Sequence, residues 1–322
     1  MPERPPGPRV VVLDGGYDNW DTERRVLAPL GAEVVVRPCD RDPGRVLASI
    51  GDADGVLVRE SPVSRDAIAS APALRGIVRY GIGVDNIDLE AARERRIKVA
   101  NVPDYGSEEV SDQAMALLLG VVRRVASRDR AVRQGAWNLA RSERMHRVAG
   151  RTLGLVGYGR IARAFERKMR GMGVSRVLVA DPAIRSADGV EVVDLDTLCR
   201  EADVVSLHAP LMAATRHLLD ARRIALMKPE AIVVNTARGA LIDEAALVEA
   251  LAARRLAGAA LDVYEVEPPR KDHPLFALDN VVLSDHTGWY SEESVEELQT
   301  KAAEELARIL RGETPRHWVN PW

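Results

Sequence analysis

Short continuous apolar runs, separated by stretches of helical periodicity, organise the first hundred residues. Residues 10–13, 33–36, 55–58 and 77–79 read as strands, with a last short one near 97–100. Residues 21–30 and 88–96 fit as helices between them. That alternation predicts a parallel sheet with crossover helices. After Ser107 the period changes. Val110, Ala114, Leu117, Leu118, Val121 and Val125 fall on one face of a long helix. Polar, tryptophan-containing sequence then runs to Gly150, and a second series of strands follows at 153–156, 176–180, 203–207, 231–235, 258–263 and 281–284. The chain closes with a predicted helix over 291–311, whose core face is Val295, Leu298, Ala302, Leu306 and Ile309. Glu292, Glu293, Glu296 and Glu297 lie near its positive end, Arg308 and Arg311 near its negative end, and Gly312 is a suitable stop.

The first strand of the second series runs into Gly157-Tyr158-Gly159-Arg160-Ile161-Ala162. This is strand, glycine turn and helix start in the form G-x-G-x-x-A, a dinucleotide fingerprint with alanine in the third small position. Gly157 permits the tight turn, and Gly159 lets the backbone approach a pyrophosphate. The first helical N–H groups, at Arg160 and Ile161, then face the phosphates. Ile161, Ala164, Phe165 and Met169 give the helix its apolar side. Asp181 ends the next strand, 24 positions after Gly157. An acid there suits a ribose 2′-hydroxyl and repels a 2′-phosphate, which favours NAD, while Arg185 nearby leaves NADP open.

The pattern therefore predicts an α/β protein of two doubly wound parallel-sheet domains, the second inserted in the first. Residues 1–101 plus 291–322 would form a flavodoxin-like substrate domain, and residues 102–290 an NAD-binding Rossmann domain. A cleft between two such domains is where small-molecule sites tend to lie.

Composition adds exclusions. The 322 residues are 46% hydrophobic, enough for two cores, and the net charge is −3 with both signs mixed. Nothing in that balance favours nucleic acid or a membrane surface. Cys39 and Cys199 lie far apart without metal spacing, so no metal is expected, and they read as buried thiols of a reducing, cytoplasmic protein. No apolar run approaches the roughly 20 residues needed to span a bilayer. The proline-rich stretch 1–8 lacks an apolar signal core and reads as a mobile lead-in.

Three polar residues follow strands of the second series: Arg238 in Asn235-Thr236-Ala237-Arg238-Gly239, Glu267 in the string 262–268, and His286 directly after the last strand. Ligands of open α/β sheets bind beyond the carboxyl ends of the strands, so all three should reach the edge that carries the fingerprint. An arginine can hold a carboxylate by two hydrogen bonds and polarise the neighbouring carbonyl. A histidine can donate a proton to that carbonyl oxygen as hydride arrives. A glutamate can hold the imidazole in one orientation and stabilise its charged form. Each also has a plain alternative: a surface ion pair, a satisfied loop histidine, a turn glutamate.

At these residues the chain resembles the D-isomer-specific 2-hydroxyacid dehydrogenases. The matching motifs are the string 79–88, the fingerprint with Asp181, the string 235–239, the string 262–268, and His286, with spacings of 29 from Arg238 to Glu267 and 19 from Glu267 to His286. Asp285-His286-Thr287-Gly288-Trp289-Tyr290-Ser291 further resembles the branch of the C-terminal-binding-protein corepressors and their bacterial enzyme relatives. The resemblance implies that Arg238, Glu267 and His286 are catalytic. It implies that backbone N–H groups around Gly81, Ile82 and Gly83 help hold a substrate carboxylate, with Arg79 and Trp289 as further substrate-pocket residues. Asp262 would face the nicotinamide amide, Thr236, Ala237 and Arg238 would border its ribose, and His208, Ala209 and Pro210 would lie against the cofactor chiefly through backbone. Arg79 reads equally as a strand-end ion pair, and Trp289 as core. Asp285 departs from the family, which usually has proline there.

The family also implies a homodimer built on the second domain through the long helix and residues 135–150, where Trp137 is a dimer contact or ordinary core. The expected activity is hydride transfer between NAD(H) and a small 2-oxo or D-2-hydroxy acid. The alternative is an NAD-sensing corepressor-like protein with incidental dehydrogenase activity. Glutamate rather than glutamine at 267 argues against a formate dehydrogenase. The short stretch after the last helix argues against a phosphoglycerate dehydrogenase with a regulatory domain, although Arg59 and Arg79 leave a doubly anionic substrate open.

Overall fold

The structure, a computed structural model, describes residues 7–137 and 145–322. The lead-in expected over 1–8 lies outside it up to residue 6, and so do positions 138–144 of the expected dimer segment. The chain divides into two compact units, Met1–Gly106 with Ser291–Trp322, and Ser107–Tyr290. The first break thus follows Gly106 rather than residue 101.

The first unit holds strands β1 (Arg9–Val12), β2 (Glu33–Val36), β3 (Gly55–Val58), β4 (Gly76–Arg79) and β5 (Lys98–Ala100). All pair in parallel in the order β2-β1-β3-β4-β5, which is the flavodoxin-like arrangement. Helix α1 (Asp21–Leu27) stops before Pro29, and Ala28–Leu30 tightens into a 3-10 turn ending on left-handed Gly31. Helices α2 (Pro43–Ile50), α3 (Arg65–Ser70) and α4 (Leu89–Glu94) are capped by the side chains of Asp42, Ser64 and Asp88. The closing helix, Glu292–Leu310, starts in a capping box on Ser291 and ends before left-handed Gly312. Leu298, Ala302, Leu306 and Ile309 are buried as expected; Val295 is half-buried.

In the second unit, α5 (Ser107–Val122) buries Val110, Ala114, Leu117, Leu118 and Val121. The expected single long helix is broken. Arg124 takes a left-handed conformation (φ 55°) and starts α6 (Val125–Arg133), so Val125 leaves the stripe and is exposed. The sheet strands are β6 (Thr152–Val156), β7 (Arg176–Ala180), β8 (Glu191–Val192), β9 (Val204–Leu207), β10 (Ile232–Asn235), β11 (Gly258–Leu261) and β12 (Val281–Leu283). Their order is β12-β11-β10-β9-β6-β7-β8, all parallel. Counted within the unit this is 3-2-1-4-5-6 with a seventh strand at the edge, the Rossmann order. The short strand β8 was not expected from sequence. Helix α7 (Arg160–Gly171) follows the glycine turn and buries Ala162, Ala164, Phe165 and Met169. Helices α8 (Leu195–Glu201), α9 (Ala221–Leu226) and α10 (Glu244–Ala252) complete the layers, each capped by an aspartate. Cys39 and Cys199 are free and buried. No described helix is long and apolar enough to cross a membrane.

Candidate active site

Strand register sets the site. Val156 pairs with Ala180 on one side and Leu207 on the other, Leu207 pairs with Asn235, Asn235 with Leu261, and Leu261 with Leu283. The next residues therefore emerge in one row along the carboxyl edge: Gly157, Asp181, His208, Thr236, Asp262 and Ser284. The order reverses between β6 and β9, so Gly157 and His208 stand at the switch point where ligands of such sheets bind.

At that point Gly157 has φ +85°, and a Cβ on it would lie 2.8 Å from the Ala209 nitrogen and 2.9 Å from the His208 carbonyl carbon. Only glycine fits a turn pressed on that backbone. Gly159 is the N-cap of α7 and offers no capping side chain; a Cβ there would meet nothing within 4 Å. The N–H groups of Arg160 and Ile161 have no partner among the described residues. Asp181 accepts from the Tyr158 N–H and the Ala183 N–H, each at 2.8 Å, which ties its carboxylate to the glycine turn. Each of its oxygens keeps a lone pair for a hydroxyl. The Thr236 hydroxyl is buried with no hydrogen-bond partner. An open helix N-terminus, a carboxylate beside it and an orphaned hydroxyl in the same row fit a dinucleotide.

His208 was expected to contribute backbone, and its ring adds something else. Burial pushes its pKa down to about 4, and Nε2 lies 2.8 Å from the Ser206 hydroxyl. The unfolded chain, with a pKa near 6.5, binds this proton more readily than the folded one. Stability from this residue is complete above pH 6.5 and is lost as pH falls toward 4. The residue is only partly shielded from water, so the expected loss is about 1–3 kcal/mol. Urea unfolding at pH 7 and pH 4.5 should show it in the wild type and a smaller difference in H208N; equal pH dependence in both would contradict it.

Loops from β10, β11 and β12 carry the three polar candidates. Asn235 shapes the first, accepting from the Ala237 N–H at 3.0 Å and donating to the Arg238 carbonyl at 2.9 Å. Arg238 Nη1 donates to the Ala237 carbonyl at 2.8 Å. A Cβ on Gly239 would sit 1.8 Å from the Tyr264 carbonyl carbon, so the arginine loop lies directly on the next loop. There Glu267 Oε1 accepts from the Tyr264 N–H at 3.0 Å, and Oε2 meets His286 Nδ1 at 2.7 Å. The carboxylate thus fixes the ring with Nδ1 inward, and Nε2 has no hydrogen-bond partner among the described residues.

His286 sits at φ 60°, a conformation that costs a non-glycine residue of order 1 kcal/mol and needs support. Asp262 supplies it. Its carbonyl accepts from the His286 N–H at 2.8 Å. Its buried carboxylate accepts from the Ser284 hydroxyl at 2.6 Å, the Thr287 N–H at 3.1 Å and the Gly288 N–H at 2.9 Å. Burial pushes its pKa up, against these hydrogen bonds. The carboxylate expected to face the cofactor also holds the loop that carries His286. Asp285 is exposed and accepts from the Thr287 hydroxyl. Trp289 is half-buried, edge-on to the exposed Tyr290.

The remaining candidates belong to the first unit. Arg79 ends β4, and its guanidinium lies against Gly81, where a Cβ would be 1.4 Å from Nη1 and φ is +131°. The Gly81 N–H donates to the Arg79 carbonyl at 2.9 Å, so it is occupied. The Gly81 and Ile82 carbonyls accept from the Val102 N–H and the Asn101 side chain at 2.9 and 2.6 Å. In a trans peptide the N–H opposes the C=O. The Ile82 and Gly83 N–H groups therefore point the other way, and donate to no described residue. Sequence reasoning missed Tyr264 and Ser284, which brace the loops; the glycine directly after Arg238 was the available signal for that close packing.

The model of the D-isomer specific 2-hydroxyacid dehydrogenase NAD binding domain matches residues 115–288. The chain is 42% identical over 281 residues to the D-3-phosphoglycerate dehydrogenase of Methanocaldococcus jannaschii, covering 85% of this chain and 53% of that protein. It thus spans about half the length of that relative. It is 41% identical over 284 residues to the glyoxylate reductase of Korarchaeum cryptofilum, covering 85% of each. The crystal structure of the TT0316 protein from Thermus thermophilus superposes with a TM-score of 0.88 at 38% identity, covering 97% of this chain and 99% of that one. Neither named relative is a corepressor, so the branch expected from the string 285–291 finds no support in them. The chain belongs to the D-isomer specific 2-hydroxyacid dehydrogenase family.

Proposed function

We propose that this protein reduces small 2-oxo acids such as glyoxylate or hydroxypyruvate with NADH to the corresponding 2-hydroxy acids, of D configuration where the product is chiral. The observation that carries the reading is the 2.7 Å contact between Glu267 and His286 Nδ1, which leaves Nε2 to face a substrate. Bound NADH supplies the hydride. Arg238 binds the substrate carboxylate through two parallel hydrogen bonds and draws electron density from the adjacent carbonyl. Protonated His286 gives its Nε2 proton to the carbonyl oxygen and is left as neutral imidazole, and Glu267 stabilises the imidazolium that precedes the transfer. Arg79, Trp289 and the N–H groups of Ile82 and Gly83 contribute to substrate binding.

The relative named glyoxylate reductase supports the enzyme reading over the NAD-sensing alternative. The enzyme acts in the cytoplasm as a homodimer through the second unit. The exposed Val125, Val132 and Trp137, the last 84% exposed, support that surface. NADH oxidation with a panel of 2-oxo acids tests the function, and turnover with none of them would refute it.

Asp181 supports NAD over NADP. Asp181→Ala removes one charge-assisted hydrogen bond and should weaken NADH about 10–100-fold. It should weaken NADPH less, since the 2′-phosphate loses a repelling neighbour. Fluorescence titration checks this; an unchanged NADH affinity would count against the ribose contact.

A further inference from the structure

We infer that Glu244 and His273 form a second carboxylate–imidazole pair that sets the position of Glu267. This rests on the reading above, in which Glu267 serves His286. Glu244 opens α10 just after the capping Asp243. Its Oε2 accepts from the Glu265 N–H at 3.1 Å, and Oε1 meets His273 Nε2 at 2.8 Å. His273 Nδ1 accepts from the Leu275 N–H at 3.3 Å. With Nδ1 an acceptor, the ring proton is on Nε2 and is donated to Glu244. Both side chains are largely buried, 15% and 18% exposed, so the pair is weakly screened.

The Glu265 N–H belongs to the peptide between Tyr264 and Glu265. Gly239 presses on that same peptide: a Cβ there would lie 1.9 Å from the Tyr264 oxygen and 2.4 Å from the Glu265 nitrogen. The peptide is therefore held by its hydrogen bond to Glu244 at the start of α10 and by contact with the loop of Arg238. Tyr264 in turn donates its N–H to Glu267 Oε1, and its hydroxyl to the Ser284 carbonyl at 3.0 Å. The Glu265 side chain is engaged elsewhere, by Arg216 and by His217. A continuous line of contacts thus runs from His273 through Glu244, the 264–265 peptide and the Tyr264 N–H to Glu267 and His286. Displacing that peptide moves the carboxylate that aims the imidazole. Glu244 and His273 are positioning residues: neither touches Arg238, Glu267 or His286 through any of these hydrogen bonds.

Glu244→Gln leaves one acceptor oxygen for two donors, and Glu244→Ala leaves none. We expect kcat to fall about 10-fold in E244Q and further in E244A, since misplacement by about 1 Å can cost 10²-fold. KM for NADH should stay within about twofold of the wild type, because the dinucleotide end of the row is untouched. The double variant E244Q/E267Q should be no slower than E267Q, because both changes break one unit. Hydrogen exchange should speed up at the Tyr264 and Glu265 amides of E244Q and stay unchanged in Gly258–Leu261. A kcat within about twofold of the wild type would overturn the inference, on the same scale. So would losses that multiply with E267Q, or unchanged exchange at Tyr264. Should E244A fail to fold, E244Q carries the test. A wild type that reduces no 2-oxo acid defeats the functional reading alone, and exchange at the Tyr264 amide still decides this one.

Discussion

Arg238→Ala should lower kcat/KM for 2-oxo acid reduction by about 10²–10⁴-fold and leave NADH affinity within about twofold of the wild type. The size follows from two charge-assisted hydrogen bonds to the substrate carboxylate, each about 1.5–3 kcal/mol, at about 1.36 kcal/mol per tenfold change. Part of that loss is expected in kcat, because the guanidinium also stabilises the charge that grows on the carbonyl oxygen. NADH affinity is spared because the glycine turn, Asp181 and the start of α7 are built on other strands, β6 and β7. Arg238→Lys should recover little, since a single ammonium cannot reproduce the planar fork. Steady-state kinetics with direct NADH titration separates the two effects. A normal kcat/KM in R238A would remove the carboxylate clamp from the mechanism, and a matching loss of NADH affinity would make Arg238 a cofactor residue instead.

His286→Ala should cut kcat by about 10²–10⁴-fold, the scale of losing a positioned general acid. The imidazole has one nitrogen committed to Glu267 and the other without a hydrogen-bond partner among the described residues, the arrangement a proton donor needs. Glu267→Gln should cost less than H286A, because the ring remains and loses only its charged partner. Adding E267Q to H286A should then change little, since the glutamate acts through the imidazole. The left-handed backbone at His286 has a consequence for these variants. Alanine, like histidine, bears a conformational cost of order 1 kcal/mol there, and Asp262 still holds the loop by its carboxylate. H286A should therefore keep a wild-type unfolding midpoint, so that lost activity reads as lost chemistry. An H286A rate within about tenfold of the wild type would exclude this residue as the proton donor.

Much of the scaffold was legible because buried parallel strands are written as unbroken apolar runs. Residues 33–36, 55–58 and 176–180 coincide with β2, β3 and β7, where apolar residues fill consecutive positions. The break between α5 and α6 was not legible: Arg124 has good helical propensity, so the local sequence does not mark its left-handed turn. Strand β8 has two residues and no periodicity to read. Arg238, Glu267 and His286 could be picked out because each follows a strand, and the fold rule says which edge such residues reach. What holds them could not. Asp262 bracing residues 284–288, Gly239 against Tyr264, and Glu244 on the Glu265 N–H all join segments brought together only by the sheet. The string 285–291 shows the converse hazard: its likeness to the corepressor branch is local, while the relatives matched along most of the chain carry enzyme names.

At the centre stands a chemical division of labour between a guanidinium that grips the substrate's carboxylate and an imidazole that protonates its carbonyl. Crystallography of the protein with NADH and oxamate, an unreactive 2-oxo acid mimic, tests it most directly. Arg238 should form two hydrogen bonds to the oxamate carboxylate, and His286 Nε2 should lie about 3 Å from the carbonyl oxygen. Oxamate bound with its carboxylate away from Arg238, or with its carbonyl out of reach of His286, would contradict that division.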